Sequence, residues 1–505
     1  MSDLCVVQTP FVKESVKGSK NSLFSHGTGI LNTYLNEQNI SFRLINLNIF
    51  FKKSIYGPGY NLEKVFSKEN CLSYLTDKNI FLEQFLSKIV EKNGLNGYST
   101  YFFSVSSSYN LLTVYCLAKY LKEKNKDITI VLGGPYLSKK GNENHFKALE
   151  LPYIDFIFNG DIEGVDLPKD LSSDNLKEVE GFCYSYEDEI IIKNRVEVSI
   201  EEESVPTYPK YFVDEARKSS LKNDFIPIYR LSKNCPNNCV FCNFELGCSY
   251  KSLEKVYEDI KFLKEEYSTD KIYFADANLM SNPDYLFELS QKLGELNIYW
   301  GGMTGFIDVD ENYVSTLKQN GCKFLATGLE SGSTKILRDM RKPVKKETMS
   351  DFISKLTENG IKSYNHLIAG FPTEDYTSLN ETKKFLRDNF KHIFDISINI
   401  FSLFKDTEVY RNPEKFGIVI EEENVEKSKE AILKSANVSI PYRLKGKTVK
   451  ETNIIKKKMY NSLFYRFKPI AMINKSNSFN LKESFEYFLK KPRLRFKNEL
   501  TELYY

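Results

Sequence analysis

The 505-residue chain is longer than one hydrophobic core supports, and its 41% hydrophobic, 14% aromatic and 27% charged residues indicate a folded protein of two or three domains. Disordered chains, membrane bundles and small disulfide scaffolds are excluded, and the nine cysteines, an odd number, fit reduced thiols or metal ligands. The formal net charge of +3 hides an asymmetry: from Pro441 to Tyr505 sixteen Lys and Arg face five Glu, a local excess of +11. Such a run is either a solvated face or a surface for an acidic peptide, a phosphorylated substrate or RNA.

The opening Met-Ser-Asp-Leu-Cys-Val-Val has no basic segment followed by an apolar one, and no stretch reaches about 18 uninterrupted apolar residues. A cytoplasmic location without a membrane span is expected. Residues 1–165 alternate short β-type runs with helical patterns. Strands are predicted at Leu4 to Gln8, Ser41 to Leu47, Thr100 to Val105, Ile128 to Leu132 and Asp155 to Phe158, and helices around Gly29 to Glu37, Ile80 to Lys92 and Asn110 to Lys124. This is the pattern of a Rossmann-like, doubly wound parallel sheet. Residues 166–224 are acidic and Tyr-rich and read as a connector, with a hairpin around Glu187-Asp188.

The alternation resumes over 225–405, with strands at Pro227 to Leu231, Lys271 to Phe274, Ile298 to Trp300, Lys323 to Thr327, Ser363 to Ala369 and Ile396 to Phe401. Six β/α units predict a partial or full barrel. Residues 406–505 read as a basic, mainly helical region, with Lys456-Lys457-Lys458 and an aromatic group at Phe485 to Phe488.

The segment Tyr229 to Phe244 places Cys235, Cys239 and Cys242 at CxxxCxxC spacing directly after a predicted strand. Three thiolates on one short loop can hold three irons of a cubane and leave the fourth without a protein ligand. A zinc site or buried free thiols are the alternatives. Zinc normally closes four ligands in paired CxxC spacing, and only Cys248 is near enough to be a local fourth.

CxxxCxxC after the first barrel strand resembles the radical S-adenosylmethionine (SAM) superfamily, and further motifs follow in order. Phe241 stands where that family places an aromatic beside the adenine. Tyr273-Phe274-Ala275-Asp276-Ala277-Asn278 looks like the end of its second strand, Gly328-Leu329-Glu330-Ser331-Gly332-Ser333 like the end of the fourth, and Ile368-Ala369-Gly370-Phe371-Pro372-Thr373-Glu374 like the fifth-strand motif. The resemblance implies a [4Fe-4S] cluster on Cys235, Cys239 and Cys242. It also implies SAM contacts from Phe241, Asp276, Glu330, Ser331 and Gly370, and a one-electron reductase of flavodoxin or ferredoxin type as partner.

With the front domain included, the resemblance is to the B12-binding (cobalamin-dependent) radical SAM class. Ser104 and Ser106 follow the third strand. Gly133, Gly134 and Ser138 lie in a turn similar to that class's GGPxxS, and Gly160 and Glu163 in one similar to GxGE. These residues are the implied cobalamin contacts, since open α/β sheets bind ligands at the carboxyl ends of their strands. His26 and Gly29 partly match the DxHxxG loop of carriers that ligate cobalt through histidine, but Phe24 replaces the aspartate. Cobalt without a histidine ligand is therefore expected.

The class implies methyl transfer to an unactivated carbon or phosphorus centre, with a cyclisation, rearrangement or oxidation as the alternative. A methylthiotransferase is disfavoured because Cys5, Cys71 and Cys116 are widely spaced, and a catalytically silent binding protein because the three cluster cysteines are intact. The substrate is expected to be a small molecule or peptide, acidic or phosphorylated. No catalytic acid or base stands out, and His366 and His392 read as packing or surface residues.

Overall fold

A computed structural model describes residues 3–9, 25–48, 62–106, 108–138, 143–219, 224–405, 407–421 and 440–475. The aromatic group at Phe485 to Phe488 and Phe24 lie outside them. The chain divides into two compact units that meet in sequence between Ile228 and Tyr229.

The front unit is built on a seven-stranded sheet in the order β2-β1-β3-β4-β5-β6-β7. Its strands are β1 (Leu4–Gln8), β2 (Phe42–Asn46), β3 (Thr100–Ser104), β4 (Thr129–Gly133), β5 (Phe156–Phe158), β6 (Phe182–Tyr186) and β7 (Glu189–Ile191). The first five are parallel, and β1 and β3 are buried along their whole length, as expected where both faces of a parallel sheet are covered. Helices α1 (His26–Glu37), α2 (Ile80–Asn93) and α3 (Ser108–Lys124) connect them. The ends of α2 follow local chemistry. The Asn79 side chain accepts from Leu82 N, and Gly94 closes the helix at φ 63°.

Residues 166–224 do more than connect. The predicted hairpin turns through Glu187 and Asp188, both at positive φ, and its strands pair antiparallel with β5 and with each other. Phe182 is fully buried, with its ring 4.9 Å from that of Phe158 and 5.9 Å from that of Phe156. The hairpin that reads as part of a connector is the last part of the sheet, because β6 pairs with β5.

The second unit holds a six-stranded sheet in the order β15-β14-β13-β12-β11-β8, the predicted partial (β/α)6 barrel. Its strands are β8 (Ile228–Tyr229), β11 (Lys271–Phe274), β12 (Tyr299–Thr304), β13 (Cys322–Glu330), β14 (Lys362–Ala369) and β15 (Asp395–Ile400). Between them run α4 (Leu253–Tyr267), α5 (Pro283–Glu295), α6 (Glu311–Gln319), α7 (Thr334–Asp339), α8 (Lys346–Glu358) and α9 (Tyr376–Asn389). A two-stranded ladder, β9 (Ser232–Lys233) with β10 (Ser249–Tyr250), spans the cysteine segment. After β15 come the hairpin β16 (Ile418–Ile420) with β17 (Tyr442–Leu444) and the long helix α10 (Val449–Lys475), which packs against β15. No helix among the described residues is long and apolar enough to cross a membrane.

Replacing Phe182 by Ala should lower the stability of the front unit by about 3–5 kcal/mol, read as loss of native-state hydrogen-exchange protection in β5 and β6. Tyr186→Ala, at an exposed position of the same hairpin, should change it by less than about 0.5 kcal/mol.

Candidate functional site

The cysteine loop lacks a helix or long strand, so its backbone is satisfied from outside. The buried Asp276 carboxylate, just past β11, accepts from Leu231 N at 3.1 Å, Ser232 N at 2.7 Å and Ser232 Oγ at 2.6 Å. These bonds hold the chain as it leaves β8. Burial still pushes the Asp276 carboxyl above its ordinary range. The β9/β10 ladder closes the base of the loop, and Cys235 N donates to Glu245 O at 3.1 Å. Val240, between the second and third cysteine, is buried in a cluster with Ile336, Met340, Phe371 and Leu403. Its amide donates to Met340 O at 3.1 Å and its carbonyl accepts from Val409 N at 3.2 Å. Phe241 packs on the rim of this cluster.

Cys235 is buried, whereas Cys239 and Cys242 are partly exposed. Burial raises the Cys235 thiol and pushes that of Cys239 up to about 11, so metal binding there displaces protons. Among the described residues no three His, Cys, Asp or Glu side chains converge on a single metal ion. The three cysteines share a loop, not a single-ion cage.

The carboxyl ends of the neighbouring strands bring the other predicted residues to the same edge. Glu330, last residue of β13, adopts φ 56°, a left-handed conformation that costs a non-glycine residue about 1 kcal/mol or more. It is buried and pairs with Lys342 at 3.2 Å, each side chain only 11% exposed. Burial works against the Lys342 charge, but Glu330 and Cys239 outweigh it and hold its pKa above the usual value. A Cβ on Gly328 would lie 2.5 Å from Glu330 Oε1 and 2.8 Å from Lys342 Nζ, so glycine there leaves the pair its space. Lys342 lies outside the sequence motifs, and Val240 fills an unspecified position of CxxxCxxC. The Lys342 charge becomes meaningful only once Glu330 and Cys239 are seen beside it.

Ser331 is fully engaged: its hydroxyl lies 2.9 Å from Thr382 Oγ1 and accepts from Ser333 N at 3.1 Å. Gly370 follows β14 at φ 75°, and its amide donates to Glu374 Oε2 at 2.6 Å. Burial raises the Glu374 carboxyl from the usual 4.5 to about 7, although the Gly370 amide opposes this. His366 is half-buried on β14, in register between Gly328 of β13 and Ser397 of β15, on the face of the strand that carries Ile368.

In the front unit the residues read as cobalamin contacts also lie at the carboxyl edge of their sheet. A Cβ on Gly134 (φ 109°) would lie 2.7 Å from Val105 O, and one on Gly160 (φ 129°) 2.1 Å from Val196 O. Gly133 ends β4, and the Ser138 hydroxyl bridges the two turns, within 3.2 Å of both Gly160 N and Gly160 O. Ser104 O accepts from Thr9 Oγ1 at 3.2 Å, and the Ser106 hydroxyl lies 3.4 Å from Asn110 Nδ2. Glu163 accepts from Ser204 N at 2.7 Å. His26 Nε2 lies 3.1 Å from the buried Glu203 carboxylate. The carboxylate that position 24 lacks is thus supplied by position 203, and His26 Nδ1 lies 3.3 Å from Ile228 O.

A family model described as the radical SAM superfamily matches residues 229–386. The match runs from the first strand of the barrel through most of α9. An uncharacterized methyltransferase of Pyrococcus horikoshii is 26% identical over 291 residues, 54% of this chain. The chain spans 61% of that relative's length. Over 97% of its residues the chain superposes on the radical SAM methyltransferase TsrM of Kitasatospora setae, solved with cobalamin and a [4Fe-4S] cluster (TM-score 0.63, 10% identity, 99% of that chain). It also superposes on the cobalamin-dependent SAM radical enzyme OxsB, solved with aqua-cobalamin and SAM (TM-score 0.64, 15% identity, 97% of this chain and 71% of that one). The chain thus has the fold of these two solved proteins.

Two outcomes follow for the barrel. Lys342→Met should destabilise it by about 3–5 kcal/mol by stranding the Glu330 carboxylate. The loss should be read from the fluorescence of Trp300, the only tryptophan, in a denaturant titration, and Glu330→Gln in the same chain should restore much of it. For Glu374, a folded-state value above the unfolded one means that stability is fully present below pH 4.5 and falls as pH rises through about 7. That difference corresponds to about 3 kcal/mol, and Glu374→Gln should flatten the dependence over this window.

Proposed function

We propose that the protein is a cobalamin-dependent radical SAM methyltransferase that acts on an unactivated carbon or phosphorus centre and draws electrons from a flavodoxin- or ferredoxin-type donor. The observation that carries the reading is the cysteine loop: three thiols on a segment clamped by Asp276 and Val240, at the carboxyl edge of a radical SAM barrel. The donor set fits a [4Fe-4S] cluster with one iron left for SAM. The cradle made by Gly328 beside the Glu330–Lys342 pair fits the charged amino-acid end of SAM. In the front unit the buried Thr28 hydroxyl, in the first turn of α1, has no hydrogen-bond partner among the described residues. It is a polar atom that a bound cobalamin would satisfy.

When bound, the cluster with SAM supplies a 5′-deoxyadenosyl radical and cobalamin supplies the methyl group. The chain's own residues supply position. Cys235, Cys239 and Cys242 hold the cluster, and Asp276 keeps their loop in place from below. Lys342 and Glu330 present one charge of each sign to the carboxylate and amine of SAM, while Phe241 offers an apolar face and Gly370 lets the backbone approach closely. His26 is committed to Glu203 through Nε2, which supports cobalt without a histidine ligand.

Anaerobic reconstitution with iron, sulfide and hydroxocobalamin tests the reading. The parent should retain corrin and cluster absorbance after desalting and form 5′-deoxyadenosine from SAM under reduction. Cys235→Ala/Cys239→Ala/Cys242→Ala should keep the corrin and lose both cluster absorbance and deoxyadenosine. A cluster without retained corrin would remove cobalamin, and with it methyl transfer from cobalamin.

A further inference from the structure

Helix α10 sets Lys456 at the carboxyl edge of the barrel, beside the ring of Tyr442 on strand β17. A Cβ built on Gly370, directly after β14, would lie 2.8 Å from Lys456 Cγ and 3.1 Å from Lys456 Cα. The helix therefore crosses the end of β14 in contact with it, and only a glycine permits this approach. Strand ends of a parallel sheet share one edge, so Lys456 lies at the same edge as the cysteine loop after β8 and Glu330 at the end of β13.

The Lys456 ammonium stands 4.6 Å from the centroid of the Tyr442 ring. Among the described residues Lys456 has no carboxylate partner and no hydrogen bond, and burial lowers its pKa to about 8. Tyr442 is 3% exposed, and its hydroxyl is buried without a partner among the described residues. An aromatic face offsets only about 0.5–2 kcal/mol of the cost of burying an ammonium, and an unpaired buried hydroxyl costs about 1–3 kcal/mol more. Two neighbouring donors without acceptors, at the edge where the substrate must enter, lack one thing: an anion.

We infer that Lys456 and the Tyr442 hydroxyl bind an oxyanion of the substrate, a carboxylate or a phosphate group, and so position it at the barrel's open edge. The inference rests on the reading of that edge as the substrate's entrance. It places the basic character of the C-terminal region at one half-buried lysine; Lys457 and Lys458, its neighbours in sequence, are exposed.

The test is trace acetylation of the reconstituted full-length protein at neutral pH, mapped by mass spectrometry, with inorganic phosphate, succinate or SAM as the added probe. Phosphate or succinate should slow acetylation of Lys456 by about threefold when the site is about two-thirds filled, with Lys457 and Lys458 unchanged. Protection by phosphate alone identifies a phosphorylated substrate, and protection by succinate alone a carboxylate. Tyr442→Phe, which removes only the hydroxyl, should lose most of the protection. Failure of both anions to protect, equal protection in Tyr442→Phe, or protection by SAM alone would each overturn the inference. Deoxyadenosine formation by the same preparation is read separately. Its absence beside intact anion protection would remove the radical SAM reading and leave the anion site standing.

Discussion

The constraint on which the barrel's chemistry depends is the placing of three thiols on a loop that has almost no secondary structure of its own. Such a loop pays conformational entropy for every residue it orders and must satisfy its backbone groups elsewhere. The protein does this with one carboxylate, one short ladder and one apolar side chain. Asp276 takes hydrogen bonds from Leu231 and Ser232, β9 pairs with β10, and Val240 inserts between the cysteines into the cluster that also holds Phe371 and Leu403. Since Phe371 follows the end of β14 and Leu403 the end of β15, the loop's position is tied to the same strand ends that carry the other motifs.

Charge at this edge is arranged sparingly. Glu330 and Lys342 neutralise one another in a buried pair, with the Glu330 backbone in a left-handed conformation and Gly328 yielding the space. A buried pair of this kind is weak evidence for stability, because desolvation consumes much of the attraction. Lys456 differs: among the described residues its ammonium has an aromatic ring beside it and no carboxylate partner. The two lysines divide the edge into a compensated position near the cysteines and an uncompensated one near Gly370.

In the front unit, several residues that motif resemblance links to cobalamin also have tasks within the protein. Ser138 ties the β4 turn to Gly160, Glu163 holds Ser204, and Gly160 lies against Val196. The segment 196–208 is therefore part of the architecture of these turns. His26 gains its carboxylate from the same segment through Glu203.

The sequence by itself determined the order and type of the main elements. Alternating β and helical patterns, closed by glycines such as Gly94 and Gly370, are local properties that burial reinforces; the predicted Leu4 to Gln8 and Lys271 to Phe274 match β1 and β11 end to end. It also determined the cysteine loop, because three cysteines in eight residues need no tertiary contact to be recognised. The structure alone decided which polar residues are already engaged and which are not. Asp276 and Ser331 spend their hydrogen bonds on the protein, Glu203 reaches His26 across 177 positions, and Lys342 and Lys456 differ only in what surrounds them. Partnership of this kind depends on distances between residues far apart in the chain, and no periodicity or spacing encodes them.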